Sequence, residues 1–239
     1  FNNKAESEFI YKGAFNNCKS LKKITLPDSS FIMEDKVFND CINLETICFN
    51  ENTNILNITG GIFNNCDQLS NFIVDDNNKH YQNSNSNLLL SKDGSKVIIA
   101  AKNYEYGDYT LPNSVTIIGD SAFNCIDSLN SLVINNNIKE IGVSAFENCI
   151  NLHTVKLLNV DTVIKDSAFK DCINLITFDN IQNLPIINNN VFENTGFTSL
   201  IINSEKIGDG AFKNMKDLTE VTINSNIIGD YAFSDNNNL

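Results

Sequence analysis

I-G-D-S-A-F at Ile118–Phe123 and A-F-E-N-C-I-N-L at Ala145–Leu152 are two overlapping versions of one motif, and they decide the fold. Their shared Ala-Phe pair places Phe123 and Phe146 23 residues apart. A phenylalanine after an alanine or a β-branched residue recurs along the chain, at Phe15, Phe38, Phe63, Phe123, Phe146, Phe169, Phe192, Phe212 and Phe233. Self-similarity at such a period indicates a repeat architecture.

A predicted strand follows most of these phenylalanines. Six residues after the phenylalanine a leucine opens a run of alternating apolar residues, as in Leu152, Val155 and Leu157. Alternation of this kind is strand periodicity, with one face inward and one outward. A strand recurring every ~23 residues cannot fold alone, but stacked neighbours form a parallel sheet and a continuous core. The Phe192 repeat departs from the pattern, because Phe197 replaces the leucine one residue early.

The remainder of each repeat must return the chain to the next strand. A second apolar segment, such as Ile138–Ile141, predicts a short second strand. A glycine often follows it, at Gly119, Gly142, Gly208 and Gly229, and we expect these glycines to permit a left-handed turn. The next residue is often an aspartate, as at Asp120, suited to cap a single helical turn that carries the Ala-Phe pair. The asparagine or aspartate two residues after the phenylalanine suits a tight turn.

These motifs resemble the BspA-type (Treponema-like) leucine-rich repeats. The Leu-Pro pairs at Leu26-Pro27 and Leu111-Pro112 are typical of that family, and the resemblance covers essentially the whole chain through about nine repeats in register. Departures are the missing Leu-Pro in most repeats, the degenerate Phe192 repeat and the shifted Cys125. The predicted fold class is therefore a mostly β leucine-rich-repeat solenoid, with a parallel sheet on one face and short second strands and single helical turns elsewhere.

We expect one solenoid domain over residues 1–239, as a fragment of a longer protein, because both ends fall within a repeat and neither shows a polar capping repeat. Residues 75–105 form an irregular repeat. Within it, Leu88–Leu90 and Val97–Ile99 flank an Asp-Gly pair and predict a β-hairpin insertion. The polar stretch Asp75–Asn87 before the hairpin is expected to be a surface loop.

Composition argues against several classes of partner. The net charge is −12, because the chain has 17 basic and 29 acidic residues. Nucleic acids and anionic membranes require clustered positive charge, so we expect neither as a partner. No apolar run approaches the ~20 residues of a membrane span, so membrane insertion is not expected.

The cysteines are interpreted as buried structural thiols. Six of the seven lie in the turn after the phenylalanine, where Ile126 and Met215 occupy the equivalent position in other repeats. Stacked repeats would bring such thiols within disulfide range, but their odd number and common inward direction favour the reduced form. Because the chain contains no C-x-x-C pair and His80 and His153 are not spaced as ligands, we expect no metal site.

No catalytic arrangement is evident either. The sequence contains neither a glycine-rich phosphate loop nor a Ser-His-Asp order. A Cys149–His153 pair would require a turn cysteine to meet a histidine at the start of a strand. We therefore expect no catalytic residue, no cofactor and no enzymatic activity.

The candidate site is the outward face of the predicted sheet, formed by the third and fifth residues counted from each strand's leucine. Its members are Lys23, Thr25, Thr46, Asn71, Ile73, Asp108, Thr110, Ser131, Val133, Thr154, Lys156, Thr177, Asp179, Ser199, Ile201, Glu220 and Thr222. Nine strands at ~4.8 Å spacing would give a face long enough for a protein interface. Small hydroxyl and β-branched residues are also good strand formers, so these columns could simply favour the sheet.

The leading hypothesis is a protein-binding module that engages a host or neighbouring-cell surface protein. The resemblance implies the adhesive role and an extracellular or cell-surface location, since many BspA-type proteins are surface proteins of bacteria and protists. The alternative is an intracellular or structural scaffold segment that binds a protein of the same cell. A third reading, an enzyme whose catalytic domain lies outside this chain, is less favoured. A signal peptide or anchor in the full-length protein would separate display from scaffolding.

Overall fold

The computed structural model describes residues 8–34, 36–84 and 87–239, and these are mostly β with almost no helix. The chain divides into two compact units, Phe1–Tyr104 and Glu105–Leu239. Both units are built from stacked coils carrying short parallel strands, about nine turns of a solenoid in all. The predicted fold class is thereby confirmed, whereas a single domain over residues 1–239 stays a prediction.

Among the residues described, the first unit contains nine strands. They are β1 (Glu8–Ile10), β2 (Lys23–Thr25), β3 (Ser30–Met33), β4 (Thr46–Phe49), β5 (Asn54–Ile55), β6 (Asn71–Val74), β7 (Tyr81–Ser84), β8 (Leu88–Ser91) and β9 (Lys96–Ala100). The strands after the leucines form one parallel sheet in the order β2-β4-β6, and β1, β3 and β5 form a second. A 3-10 turn spans Gly60–Phe63.

An antiparallel segment interrupts the coils of the first unit. β8 and β9 pair as a hairpin at the predicted place, with Gly94 in its turn at a φ of +73°. β7 pairs antiparallel with β8, so the expectation of a surface loop over 75–87 is wrong for Tyr81–Ser84. The cause is Tyr81, which is buried and whose hydroxyl accepts a hydrogen bond from the Ile55 amide at 2.9 Å. A polar stretch thus gains a strand through one anchored aromatic residue.

The second unit contains twelve strands. They are β10 (Gly107–Thr110), β11 (Ile117–Ile118), β12 (Leu129–Ile134), β13 (Glu140–Ile141), β14 (Thr154–Leu157), β15 (Val163–Ile164), β16 (Thr177–Asp179), β17 (Ile186–Ile187), β18 (Ser199–Ile202), β19 (Lys206–Ile207), β20 (Glu220–Ile223) and β21 (Ile227–Ile228). The strands after the leucines form two parallel sheets, β10-β12-β14-β16 and β18-β20. The second strands pair as β11-β13-β15 and as β17-β19-β21. A 3-10 turn spans Ile181–Asn183.

Stacked phenylalanine rings form the centre of each unit, as the period predicts. In the second unit, the Phe123 and Phe146 centroids are 5.0 Å apart, and those of Phe146 and Phe169 are 5.2 Å apart with planes only 4° from parallel. The stack continues through Phe192, Phe212 and Phe233. In the first unit, Phe15, Phe38 and Phe63 form a similar stack. Offset aromatic stacking adds to the free energy gained by burying the rings.

The turn around each Ala-Phe pair has a left-handed residue on either side of the phenylalanine. In the Phe146 coil these are Ser144, at a φ of +53°, and Asn148, at +59°. Hydrogen bonds from the Glu147 amide to the Ser144 carbonyl and from the Cys149 amide to the Phe146 carbonyl close successive turns. The prediction that an aspartate caps this turn is wrong for Asp120 of the Phe123 coil. Its carboxylate instead accepts a hydrogen bond from the Val143 amide of the following coil at 2.8 Å.

The glycine column has a different cause from the one expected. Gly142, Gly208 and Gly229 do not have a positive φ, so their predicted left-handed conformation is wrong. A Cβ on Gly142 would lie 2.6 Å from the Asp120 amide nitrogen and 2.7 Å from the Gly119 carbonyl carbon of the preceding coil. Contacts this short with backbone require a residue that has no side chain. The glycines therefore allow successive coils to approach closely.

The buried cysteines bond from coil to coil. The thiols of Cys41, Cys66, Cys149 and Cys172 each donate to a phenylalanine carbonyl of the preceding coil, at 3.0 to 3.1 Å. Burial raises the pKa of Cys66 to about 12 and that of Cys172 well above its ordinary value. The Cys66 and Cys172 thiols are consequently protonated donors within the core, in keeping with a structural role.

Candidate functional site

The outward face of the first unit is carried by β2, β4 and β6. Strand pairing places Lys23, Thr46 and Asn71 side by side, and it also aligns Thr25 with Ile73 on either side of Cys48. None of the predicted positions in this unit is buried, and Ile73 is 45% exposed. Cys48 on β4, the fifth residue counted from Leu44, is buried and interrupts the column that contains Thr25 and Ile73.

In the second unit, β10, β12, β14 and β16 bring two rows of predicted residues into register. The third-position row is Asp108, Ser131, Thr154 and Thr177, and the fifth-position row is Thr110, Val133, Lys156 and Asp179. All are exposed or half-buried, while the residues between them point into the core. The Ser131 hydroxyl donates to the Asp108 carboxylate at 2.7 Å, which links neighbouring strands on the surface.

A separate pair of strands carries the remaining predicted residues. β18 and β20 align Ser199 with Glu220 and Ile201 with Thr222. All four side chains are exposed, and Ile201 has 60% of its surface accessible. β16 and β18 belong to different sheets, so the strand hydrogen bonding does not extend from β16 to this two-stranded sheet.

The break between β16 and β18 creates an open pocket that the sequence analysis missed. It has a volume of about 430 Å³ and is lined by residues of both strands and of the Ile181–Asn183 turn. Ile176 at its edge is 58% exposed. It directly follows Leu175 and is therefore not one of the third- and fifth-position residues predicted for the face. The signal that could have located the pocket is the degenerate Phe192 repeat, whose Phe197 replaces a leucine one residue early.

Two kinds of reactive site follow from the residue types present, a metal cluster and a Cys149–His153 pair. Over residues 8–34, 36–84 and 87–239 there is no group of three or more His, Cys, Asp or Glu side chains able to hold a metal ion. The Cys149 thiol is buried and bonded to the Phe123 carbonyl, whereas His153 is exposed with its Nδ1 2.6 Å from the Asn151 carbonyl oxygen. These two residues therefore have different partners and do not form a nucleophile–base pair.

Membrane-spanning helices are not found in the part of the chain that the structure describes.

Several solved structures share this fold. A leucine-rich repeat protein from Bacteroides ovatus superposes with a TM-score of 0.64 at 23% identity, over 97% of this chain and 57% of that one. A leucine rich cell surface protein from Faecalibacterium prausnitzii gives 0.61 at 21% identity, over 95% and 60% of the two chains. The pneumococcal vaccine antigen PcpA gives 0.56 at 20% identity, over 99% and 60%. The chain thus spans less than two thirds of the length of these proteins.

Sequence comparison supplies the family. Among curated proteins, none matches the chain. The model of the BspA type leucine rich repeat region matches over residues 1–109 and 99–205, in six copies. Repeats of this family generally serve in protein binding, and they are typically not enzymes. With its stacked phenylalanines, paired short strands and matching repeats, this chain belongs to the BspA type leucine-rich repeat family.

Proposed function

We propose that the chain is a protein-binding module for adhesion, and that the outward sheet face engages a protein of a host or of a neighbouring cell. The observation that carries the proposal is the alignment of the two outward rows on β10, β12, β14 and β16. Their side chains are ordered by the sheet but take no part in the core. A rigid row of exposed side chains is what a protein interface requires, since little conformational entropy is lost on binding.

The composition of the face favours binding through many weak contacts. Hydroxyl and aliphatic side chains make up most of it, and tryptophan, a common interface hot-spot residue, is absent from the chain. Modest affinity per coil is compensated when several coils engage the same partner or when several copies are displayed together. Such binding suits attachment between surfaces.

Surface display is the second part of the proposal. A cell surface protein and a vaccine antigen are among the proteins whose structures resemble this chain. Since these likenesses are below 25% identity, they support the location as a hypothesis to be tested on the full-length protein. We expect a tagged fusion of the full-length protein to be accessible to antibody on intact cells. An antibody signal that appears only after the cells are permeabilised would favour a scaffold role.

A pull-down with candidate host extracellular proteins tests the binding face. The triple variant Thr110→Glu, Val133→Glu and Lys156→Glu places three carboxylates on adjacent strands of the central row. We expect it to lose capture of a partner that the parent chain retains, because three new carboxylates would have to lose their water on contact.

The matched control carries Val163→Glu and Ile186→Glu. Both residues are exposed and lie on the second strands, β15 and β17, away from the proposed face. Capture should persist in this variant. Equal capture by the triple variant and the parent chain would eliminate the central row as the contact surface.

A further inference from the structure

The pocket between β16 and β18 is a defined opening in the outward sheet. The two segments are joined at one end by a hydrogen bond from the Gly196 amide to the Leu175 carbonyl, at 3.1 Å, and at the other by one from the Asn203 amide to the Gln182 carbonyl, at 3.2 Å. Between these points the segments 176–181 and 197–202 are equal in length, yet no backbone hydrogen bond joins them. The strands therefore separate in the middle and meet again at both ends.

The lining of this opening combines an apolar floor with exposed apolar edges. Phe178, Phe197 and Leu200 are buried and form its base. Ile176 and Ile201 flank it with more than half of their surfaces exposed. Apolar side chains of this size at the entrance of an apolar cavity gain free energy when a partner removes them from water. The arrangement matches an interface anchor, in which a central pocket accepts one large side chain and a polar rim excludes water.

Two carboxylates lie on or next to the strands that border the opening, and Lys156 of β14 is in register with the first of them. Asp179 lies at the fifth position of β16, and Glu220 lies one strand beyond Ser199. Both carboxylates are exposed, and neither forms an ion pair among the residues that the structure describes. Together with a net charge of −12, they favour a partner with positive charge near its anchor residue.

Backbone groups add a further requirement. The facing edges of β16 and β18 lack the strand-to-strand hydrogen bonds that β14 and β20 supply on their other sides. An extended peptide segment that crosses the opening can hydrogen-bond to these edges through one or two of its backbone groups. The opening is closed at both ends, so the segment lies across it and inserts a side chain.

We propose that this opening, the β16–β18 gap, is an anchor site for an extended segment of a basic protein partner, which inserts one large aliphatic or aromatic side chain beside a lysine or arginine. The inference rests on the proposed function, because it names the chemistry of the partner that the outward face binds. It distinguishes this part of the face from the β10-β12-β14-β16 sheet, where the rows are continuous.

Peptide display tests the proposal without a known partner. A phage library of random linear peptides is selected on the immobilised full chain, and enriched peptides are synthesised for titration. We expect enriched sequences to carry a large apolar residue next to a basic one. On titration, the methyl signals of Ile176 and Ile201 should shift in spectra of protein labelled at isoleucine methyl groups.

Variants locate the binding and provide a matched control. Ile176→Lys and Ile201→Lys place a positive charge at the edges of the gap, and the exposure of both residues leaves folding intact. Each should weaken peptide binding by about tenfold or more. Ile73→Lys makes the same change at an exposed isoleucine of β6 that does not line the β16–β18 gap, and it should leave the affinity unchanged.

Three outcomes would overturn the anchor site: selection without an apolar–basic pattern, selected peptides that bind the two gap variants as tightly as the parent chain, or methyl shifts confined to other isoleucines. The proposed function is tested separately by the triple variant of the central row. A partner lost by that triple variant but retained by Ile176→Lys and Ile201→Lys would sustain the binding face and reject the gap.

Discussion

At the scale of single residues, the abundance of asparagine in the turns has a conformational cause. The residue two after the phenylalanine adopts a φ between +56° and +62° in almost every coil, at Asn17, Asp40, Asn65, Cys125, Asn148, Asp171, Asn194, Asn214 and Asp235. Left-handed backbone is costly for most residues, and asparagine and aspartate tolerate it best after glycine. The sequence pattern predicted a turn at this position, but it did not reveal this backbone conformation.

Cys125 is the exception in this column, and its replacement should stabilise the protein. Cys125→Asn places a tolerant residue at a φ of +56°. We expect the free energy of unfolding to rise by roughly 0.5 to 1 kcal/mol, measured by urea denaturation. The reverse change, Asn148→Cys at a φ of +59°, should lower it by a similar amount. If both substitutions shifted stability in the same direction, backbone strain would not be the cause.

The buried thiols make stability depend on pH on the alkaline side. Burial raises the pKa of Cys66 from 9.0 to about 12, and it raises the pKa of Tyr81 from 10.0 to about 12. Between pH 9 and about 12, Cys66 loses its proton in the unfolded chain but keeps it in the folded chain. The unfolded state is then favoured, so the free energy of unfolding falls as pH rises from 9 towards 12.

The Cys66→Ala variant isolates this contribution. It should be less stable than the parent chain near neutral pH, because a buried side chain is lost, but its stability should fall less steeply above pH 9. The expected difference in slope approaches ~1.4 kcal/mol per pH unit for one thiol. Urea denaturation of both proteins over this range measures it. Parallel curves would mean that Cys66 ionises alike in the folded and unfolded chains.

At the scale of the element, the coil is defined by how closely it approaches its neighbour. Strand positions follow from apolar alternation alone, which is why the leucine-led strands were predictable. The glycine column was recognised, but its reason was not, since a left-handed turn and a close backbone approach both favour glycine. These two causes can be told apart only by how close the neighbouring coil lies, and a local sequence pattern does not give that distance.

Gly142→Ala tests the close approach. The Cβ of alanine would lie 2.6 Å from the Asp120 amide nitrogen, so the backbones of the two adjoining coils must move apart to relieve the contact. We expect a loss of about 2 kcal/mol or more in the free energy of unfolding. Val143→Ala alters the adjacent, exposed residue and should cost less than about 0.5 kcal/mol. Equal small effects at both positions would show that the coils have room to separate.

At the scale of the whole molecule, the period predicted which residues share a column but not where the columns are interrupted. The rows on β10, β12, β14 and β16 follow directly from the 23-residue spacing. The β16–β18 gap depends on how a shortened repeat with Phe197 in place of leucine packs against the preceding coil. This is a tertiary effect. The exposure of Ile176 itself follows from its place in the repeat, because the equivalent Glu45 and His153 are exposed as well, but the gap beside it does not.

Stacked repeats couple chiefly to their neighbours, and this leads to a prediction for the second unit. Phe146 is fully buried between Phe123, at 5.0 Å, and Phe169, at 5.2 Å. Phe146→Ala removes both ring contacts and leaves a cavity, at a cost of about 3 to 5 kcal/mol. Because each coil contacts only the next, native-state hydrogen exchange should quicken most at the Phe123 and Phe169 amides, which bond to adjacent coils. The Phe212 amide, three coils further along, should change less. Uniform acceleration would mean that the unit opens as a single cooperative body, so that a contact at one point on the outward face would be felt by every strand of that unit.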